Sequence, residues 1–79
     1  MKFSVIVTLK KDVLDPQGKV VSQTLKNMGV ENLNQVRQGK FFEIDLDESD
    51  STKGEAKVRE MCEKLLANQI IEDFQIKKI

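Results

Sequence analysis

The chain contains no histidine, no tryptophan and no tyrosine, and only one cysteine (Cys62) and one proline (Pro16), in 79 residues. Each shortage closes a class of chemistry. A lone cysteine excludes an intramolecular disulfide, and without histidine the usual ligand set of a zinc site is missing. A serine or cysteine nucleophile normally needs a base such as histidine, so no nucleophile–base pair can be assembled. No apolar run approaches the ~20 residues of a membrane-spanning helix, and no membrane partner is expected. One cysteine and no recognisable signal peptide predict a reducing cytoplasm.

Charge of one sign is lacking as well. Thirteen Lys and Arg balance 13 Asp and Glu, for a net charge of zero. A domain that lives on nucleic acid is usually visibly basic, so no nucleic-acid partner is expected. Neutrality also gives little colloidal repulsion, which suits a subunit of an assembly. Residues 1–79 read as a single small domain. A chain of this size buries only about 60% of its unfolded surface, and oligomerisation is a common remedy where no staple exists.

What is present is a pattern of strands and helices. Residues 2–9 are rich in β-branched side chains and predict a strand, with Phe3, Val5, Val7 and Leu9 on the core face and Ser4, Ile6 and Thr8 on the other. Asp15-Pro16-Gln17-Gly18 opens a helix: Asp15 is an N-cap acceptor, and Pro16 suits the first helical position, where its missing N–H costs nothing. The helix is expected to run to about Met28 with an apolar stripe of Val20, Val21, Thr24, Leu25 and Met28, and Gly29 stands where a C′ glycine belongs. Leu33–Gln38 and Lys40–Leu46 read as two strands of a hairpin that turns at Gly39. In the second of these, Phe42, Ile44 and Leu46 alternate with Phe41, Glu43 and Asp45. An acidic loop then leads to a helix over about Lys53–Ala67, with Val58, Met61, Cys62, Leu65 and Leu66 on one side. Ile70–Ile79 predicts a last strand with Ile70, Phe74 and Ile76 inward, and Lys77 and Lys78 suited to an exposed edge.

The order βαββαβ predicts an α+β, ferredoxin-like sandwich: a four-stranded antiparallel sheet with two helices on one face. The opposite face of the sheet would present Ile6, Phe41, Ile71 and Ile79, with Ile6 and Phe41 on neighbouring strands. A contiguous apolar patch on a small domain marks a protein contact. Other signals are weaker. Asp45, Asp47, Glu48 and Asp50 lack the spacing and glycine of a calcium loop and read as a solvated acidic loop. Arg37 and Lys40 flank Gly39, a weak anion-binding signal without a glycine-rich loop ahead of a helix. Phe41 resembles a base-stacking aromatic of an RNA-binding sheet, but Glu43 and Asp45 beside it would repel phosphates. Cys62 lies on the apolar stripe and reads as a buried, inert thiol.

Taken in order, Thr8-Leu9-Lys10, Val13-Leu14, Asp15-Pro16-Gln17-Gly18, Met28-Gly29, Val36-Arg37-Gln38-Gly39-Lys40 and Ile71-Glu72-Asp73-Phe74 resemble the PurS family, the small subunits of bacterial and archaeal phosphoribosylformylglycinamidine synthase. The resemblance covers almost the whole chain. It departs at Asn68-Gln69-Ile70-Ile71, where the family often has a proline after the asparagine, and at the basic end Lys77-Lys78-Ile79. The resemblance implies a non-catalytic assembly subunit of purine biosynthesis, a homodimer or dimer of dimers. Such a subunit bridges an ATP- and magnesium-dependent synthetase subunit and a glutaminase subunit so that ammonia passes between them. It would hold no cofactor of its own; ATP and magnesium belong to the large partner. In that setting Ile6, Phe41 and Ile71 are the expected dimer interface, and Asp15, Pro16, Gly18, Arg37, Gly39 and Lys40 the candidate contacts to the larger subunits. The alternative is an ACT-like regulatory module binding an amino acid between subunits. A small enzyme of acylphosphatase type is disfavoured because Lys10–Leu14 lacks a glycine-and-arginine phosphate cradle.

Overall fold

The computed structural model describes residues 1–79. In chain order they form β1 (Lys2–Leu9), α1 (Pro16–Asn27), β2 (Gly39–Asp45), α2 (Ser51–Met61), a π-helical turn (Cys62–Leu66) and β3 (Glu72–Lys78). The sheet is antiparallel and three-stranded, in the order β2-β1-β3. This is the expected ferredoxin-like order with one strand missing: Leu33–Gln38 forms no strand.

The reason lies in what this stretch does instead. Its apolar residues, Leu33 and Val36, are three apart and cannot share one face of a pleat. Its backbone is used elsewhere, since the Gln38 N–H donates to Asp15 Oδ2 at 2.9 Å. Gly39 makes no hairpin turn either. Gly29 alone has a positive φ, 105°, as its C′ position requires. Gly39 instead opens β2 opposite Thr8, where a Cβ would run into the Val7 carbonyl oxygen. Close approach, not turning, is what glycine supplies there.

The core is small. Phe3, Val5 and Val7 of β1 are buried with Val58, Cys62 and Ala67, and Met1, Phe42, Ile44, Leu46, Leu66, Phe74 and Ile76 pack around them. The α2 helix starts two residues before Lys53 because Asp50 Oδ1 accepts from the N–H groups of Thr52 (2.9 Å) and Lys53 (3.4 Å). Its last turn widens, with Ala67 N–H donating to the Cys62 carbonyl, an i→i+5 bond of 3.0 Å. That change of pitch swings Leu65 out of the apolar stripe, leaving it 83% exposed. Ile70 also misses the core, because Asn68 caps a turn there: its carbonyl accepts from Ile71 (3.0 Å) and Glu72 (2.7 Å), so β3 begins only at Glu72.

The largest departure is α1. Its apolar stripe was expected beside α2 on the sheet, yet no α1 side chain packs against the core. Val20 is 67% and Met28 74% exposed, and Gly18 is the helix's one buried residue. The molecule measures 49 × 25 × 14 Å, with a radius of gyration of 16.0 Å, where a compact chain of this length would have about 12 Å. Of the two helices, α2 lies on the sheet, and α1 with its flanking loops forms an arm beyond it.

Candidate functional site

The open face of the sheet can be read off the register. Ile6 pairs with Phe41 on one side and Gln75 on the other; Ser4 lies between Glu43 and Lys77, and Thr8 between Gly39 and Asp73. At the two ends the ladder is extended by Lys10 N–H to the Ile71 carbonyl (2.8 Å) and Ile79 N–H to the Lys2 carbonyl (3.0 Å). Ile6 and Phe41 are therefore adjacent, 45% and 61% exposed. Ile71 shares their face but sits four residues further along, roughly 13 Å away at the rise of a strand. The row of Thr8 and Asp73 separates it from the pair, and a salt bridge from Lys10 to Asp73 (2.8 Å) borders it. The face thus carries an exposed apolar pair at its centre with polar rows on either side.

A second group gathers where the arm leaves the sheet. Asp15 is buried and uses both carboxylate oxygens: Oδ1 accepts from Gly18 N–H (3.0 Å) and Oδ2 from Gln38 N–H (2.9 Å). These two bonds hold its pKa below the ordinary 3.8, with burial opposing and the nearby Arg37 charge assisting. Arg37 reaches back to the chain between β1 and α1. Its guanidinium donates to the carbonyls of Leu9 (3.2 Å), Lys10 (2.9 Å), Lys11 (3.3 Å) and Val13 (3.4 Å). Gln38 Nε2 donates to Gln17 Oε1 at 2.8 Å. Gly18 completes the closure: a Cβ there would meet the Val36 carbonyl oxygen and lie 2.6 Å from Asp15 Oδ2.

Asp15, Gly18 and Arg37 are thus brought together as the joint of the arm. Pro16 is exposed at the first turn, and Gly39 is spent on its approach to β1. Lys40 does not join Arg37 in gripping an anion. It lies opposite Val7, on the helix side of the sheet, while the Arg37 guanidinium is occupied by carbonyls. The four-carbonyl clamp and the Gln38–Asp15 bond were not foreseen. The proximity of Asp15 to Gln38 crosses 23 residues, and nothing in the local pattern signals it. Beside the joint, and sharing Asp15 and Arg37 with it, an open cleft of about 810 Å³ between α1 and residues 34–37 is lined also by Lys11, Asp12, Lys19 and Lys26.

The residues singled out for chemistry have structural employment. Glu48 pairs with Lys57 (3.1 Å) and accepts from the N–H of Ser49, Asp50 caps α2, and no group of three His, Cys, Asp or Glu converges as metal ligands would. Cys62 is fully buried, which pushes its thiol pKa above the ordinary 9.0. No helix is long and apolar enough to cross a membrane.

A profile of the PurS family, described as phosphoribosylformylglycinamidine (FGAM) synthase, matches residues 2–79. The chain belongs to the PurS family. It is 46% identical over 74 residues to the phosphoribosylformylglycinamidine synthase subunit PurS of Bacillus subtilis (strain 168), covering 94% of this chain and 87% of that one. The crystal structure of Methanocaldococcus jannaschii PurS, described as one of the subunits of formylglycinamide ribonucleotide amidotransferase in the purine biosynthetic pathway, superposes with a TM-score of 0.86. That likeness carries 41% identity and covers 96% of this chain and 92% of that one. A chain from the Thermotoga maritima PurLQS structure shares the fold, with a TM-score of 0.90 at 24% identity over 99% of this chain and 95% of that one. The extended arm is thus a shape that other PurS chains share.

Proposed function

We propose that this PurS-family chain is the small, non-catalytic subunit of phosphoribosylformylglycinamidine synthase in purine biosynthesis. The match of the family profile to residues 2–79 carries the reading, and the M. jannaschii relative is described as a subunit of the corresponding amidotransferase. The chain bridges a large synthetase subunit, where ATP and magnesium would bind, and a glutaminase subunit that releases ammonia. It needs no cofactor of its own, and it works in the cytoplasm.

Bridging acts in two physical ways. It raises the effective concentration of the glutaminase beside the synthetase. It also favours the sealed arrangement of the two, to the extent that it binds that arrangement more tightly. The chain is a homodimer through its open sheet face, with Ile6 and Phe41 at the centre and Ile71 at the margin. The arm held by Asp15, Gly18 and Arg37, with Pro16 exposed at its first turn and Gly39 and Lys40 opening β2 beside it, makes the contact to the larger subunits.

The test is an activity assay with the synthetase and glutaminase subunits, with and without this chain. Glutamine-dependent synthesis should require the chain, and ammonia-dependent synthesis by the large subunit alone should not. Indifference of the glutamine reaction to its omission would refute the coupling role.

A further inference from the structure

The polar side of α1 does not simply face open water. Lys19, Ser22, Gln23 and Lys26 recur at i, i+3, i+4 and i+7, which places them on one face of the helix. That face is a wall of the cleft of about 810 Å³, and residues 11–15 and 34–37 supply the rest of the lining. The charge there is one-sided. Four cations, Lys11, Lys19, Lys26 and Arg37, meet two carboxylates, a net charge of +2 in a chain whose own net charge is zero. No ion pair holds Lys11, Lys19 or Lys26, whereas Lys10, Lys57, Arg59 and Lys64 each have a carboxylate. Asp15 is committed to two N–H groups. The Arg37 guanidinium is committed to carbonyl oxygens, which accept its hydrogen bonds without neutralising its charge. Charge of one sign gathered in a concavity raises the local concentration of the opposite ion.

The geometry points to a nucleotide-binding site in this cleft, for a ligand of two or more phosphates, a ribose and a base. The phosphates take the cations. Lys19 and Lys26 stand two turns apart, roughly 10 Å along the helix axis, a spacing that suits successive phosphates better than a single one. Lys11 adds a third ammonium group from the segment between β1 and α1. Asp12, the one carboxylate of the cleft without a hydrogen-bond partner, is an acceptor of the kind that ribose hydroxyls meet. Leu14 and Val20, 63% and 67% exposed, give the base an apolar wall, and the carboxamides of Asn34 and Gln35 carry donors and acceptors for its edge. The volume lies within the range of about 300–1,000 Å³ usual for small-molecule sites and exceeds what a lone phosphate ion fills. The walls are also fixed before a ligand arrives. Arg37 ties residues 34–37 to the segment after β1, and Asp15 ties Gln38 to the start of α1, so little freedom is lost on binding.

The inference concerns binding alone and does not rest on the purine role. Amide NMR of the full chain, titrated separately with ADP, pyrophosphate and adenosine, tests it. ADP should give saturable shifts confined to residues 11–15, 19–26 and 34–37, at lower concentration than pyrophosphate, and adenosine should bind far more weakly than either. Lys19→Gln/Lys26→Gln should weaken ADP binding about tenfold. Lys2→Gln/Lys78→Gln makes the same change of charge at the other end of the sheet and should leave binding unchanged. All four lysines are exposed and form no side-chain hydrogen bond, so both variants fold, as circular dichroism would confirm. Leu14→Ser should weaken ADP and spare pyrophosphate. No saturable shifts with ADP, equal binding of ADP and pyrophosphate, or unweakened binding by Lys19→Gln/Lys26→Gln overturns the nucleotide site. So does displacement of ADP by a short polyglutamate peptide that binds more tightly, which would make the cleft a dock for an acidic polypeptide segment.

Discussion

Replacing Gly18 with alanine sets two known effects against each other, and the structure decides between them. Alanine is the better helix former, worth about 1 kcal/mol over glycine in a helix interior and less in the first turn. Against this, the new methyl would occupy the space of the Val36 carbonyl oxygen and stand 2.6 Å from Asp15 Oδ2. Overpacking of this kind costs about 1–3 kcal/mol when neighbours can shift. Here they shift poorly. Val36 is followed by Arg37 and Gln38, both tied to the β1–α1 segment, and Asp15 is held by two N–H groups. A net loss of roughly 2 kcal/mol follows, about 10 °C in melting temperature for a domain of this size. Thermal unfolding followed by circular dichroism at matched protein concentration measures it, since association also raises the apparent midpoint. Gly29→Ala is the control: it meets no atom within 4 Å and tests only the cost of φ 105°. If Gly18→Ala melts at or above the wild type, the joint is not closed as described.

Two further outcomes follow from ionisation. The pKa of Asp15 is lowered on folding, so its charge contributes stability that is complete above the ordinary 3.8 and is lost as the pH falls through and below it. Asp15→Asn should therefore destabilise at neutral pH, with the gap to the wild type narrowing as acid is added; a pH-independent gap would contradict the assignment. Cys62, with a thiol pKa raised by burial, should react with a thiol reagent at mildly alkaline pH only after denaturant is added. Immediate labelling of the native protein would show that the core opens.

Much of the fold is written locally. Period-two alternation placed Phe3, Val5 and Val7 inside and Ile6 outside, because a one-residue slip would exchange the faces. Asp15 and Pro16 marked the start of α1, and Gly29 its end, because caps act within one turn. The adjacency of Ile6 and Phe41 followed from the strand order. What escaped was non-local. Gly39 looked like a turn because a close approach to Val7 and a reversal of the chain demand the same residue. Leu33–Gln38 looked like a strand because nothing in it reveals that Gln38 is bonded to a carboxylate 23 positions earlier. Arg37 gave only a weak anion signal, and the carbonyls that fill its guanidinium were not legible, because a free guanidinium and a filled one read alike.

The stripe on α1 shows the limit most plainly. A 3.6-residue period states that Val21, Leu25 and Met28 will be covered, since their exposure forfeits about 25 cal/mol for every Å² of apolar surface. It does not state by which chain. Sequence patterning records burial in the working assembly, whereas strand order, register and caps are properties of one copy. Where a helix reads as amphipathic and the single chain leaves it bare, the period and the packing of one copy disagree.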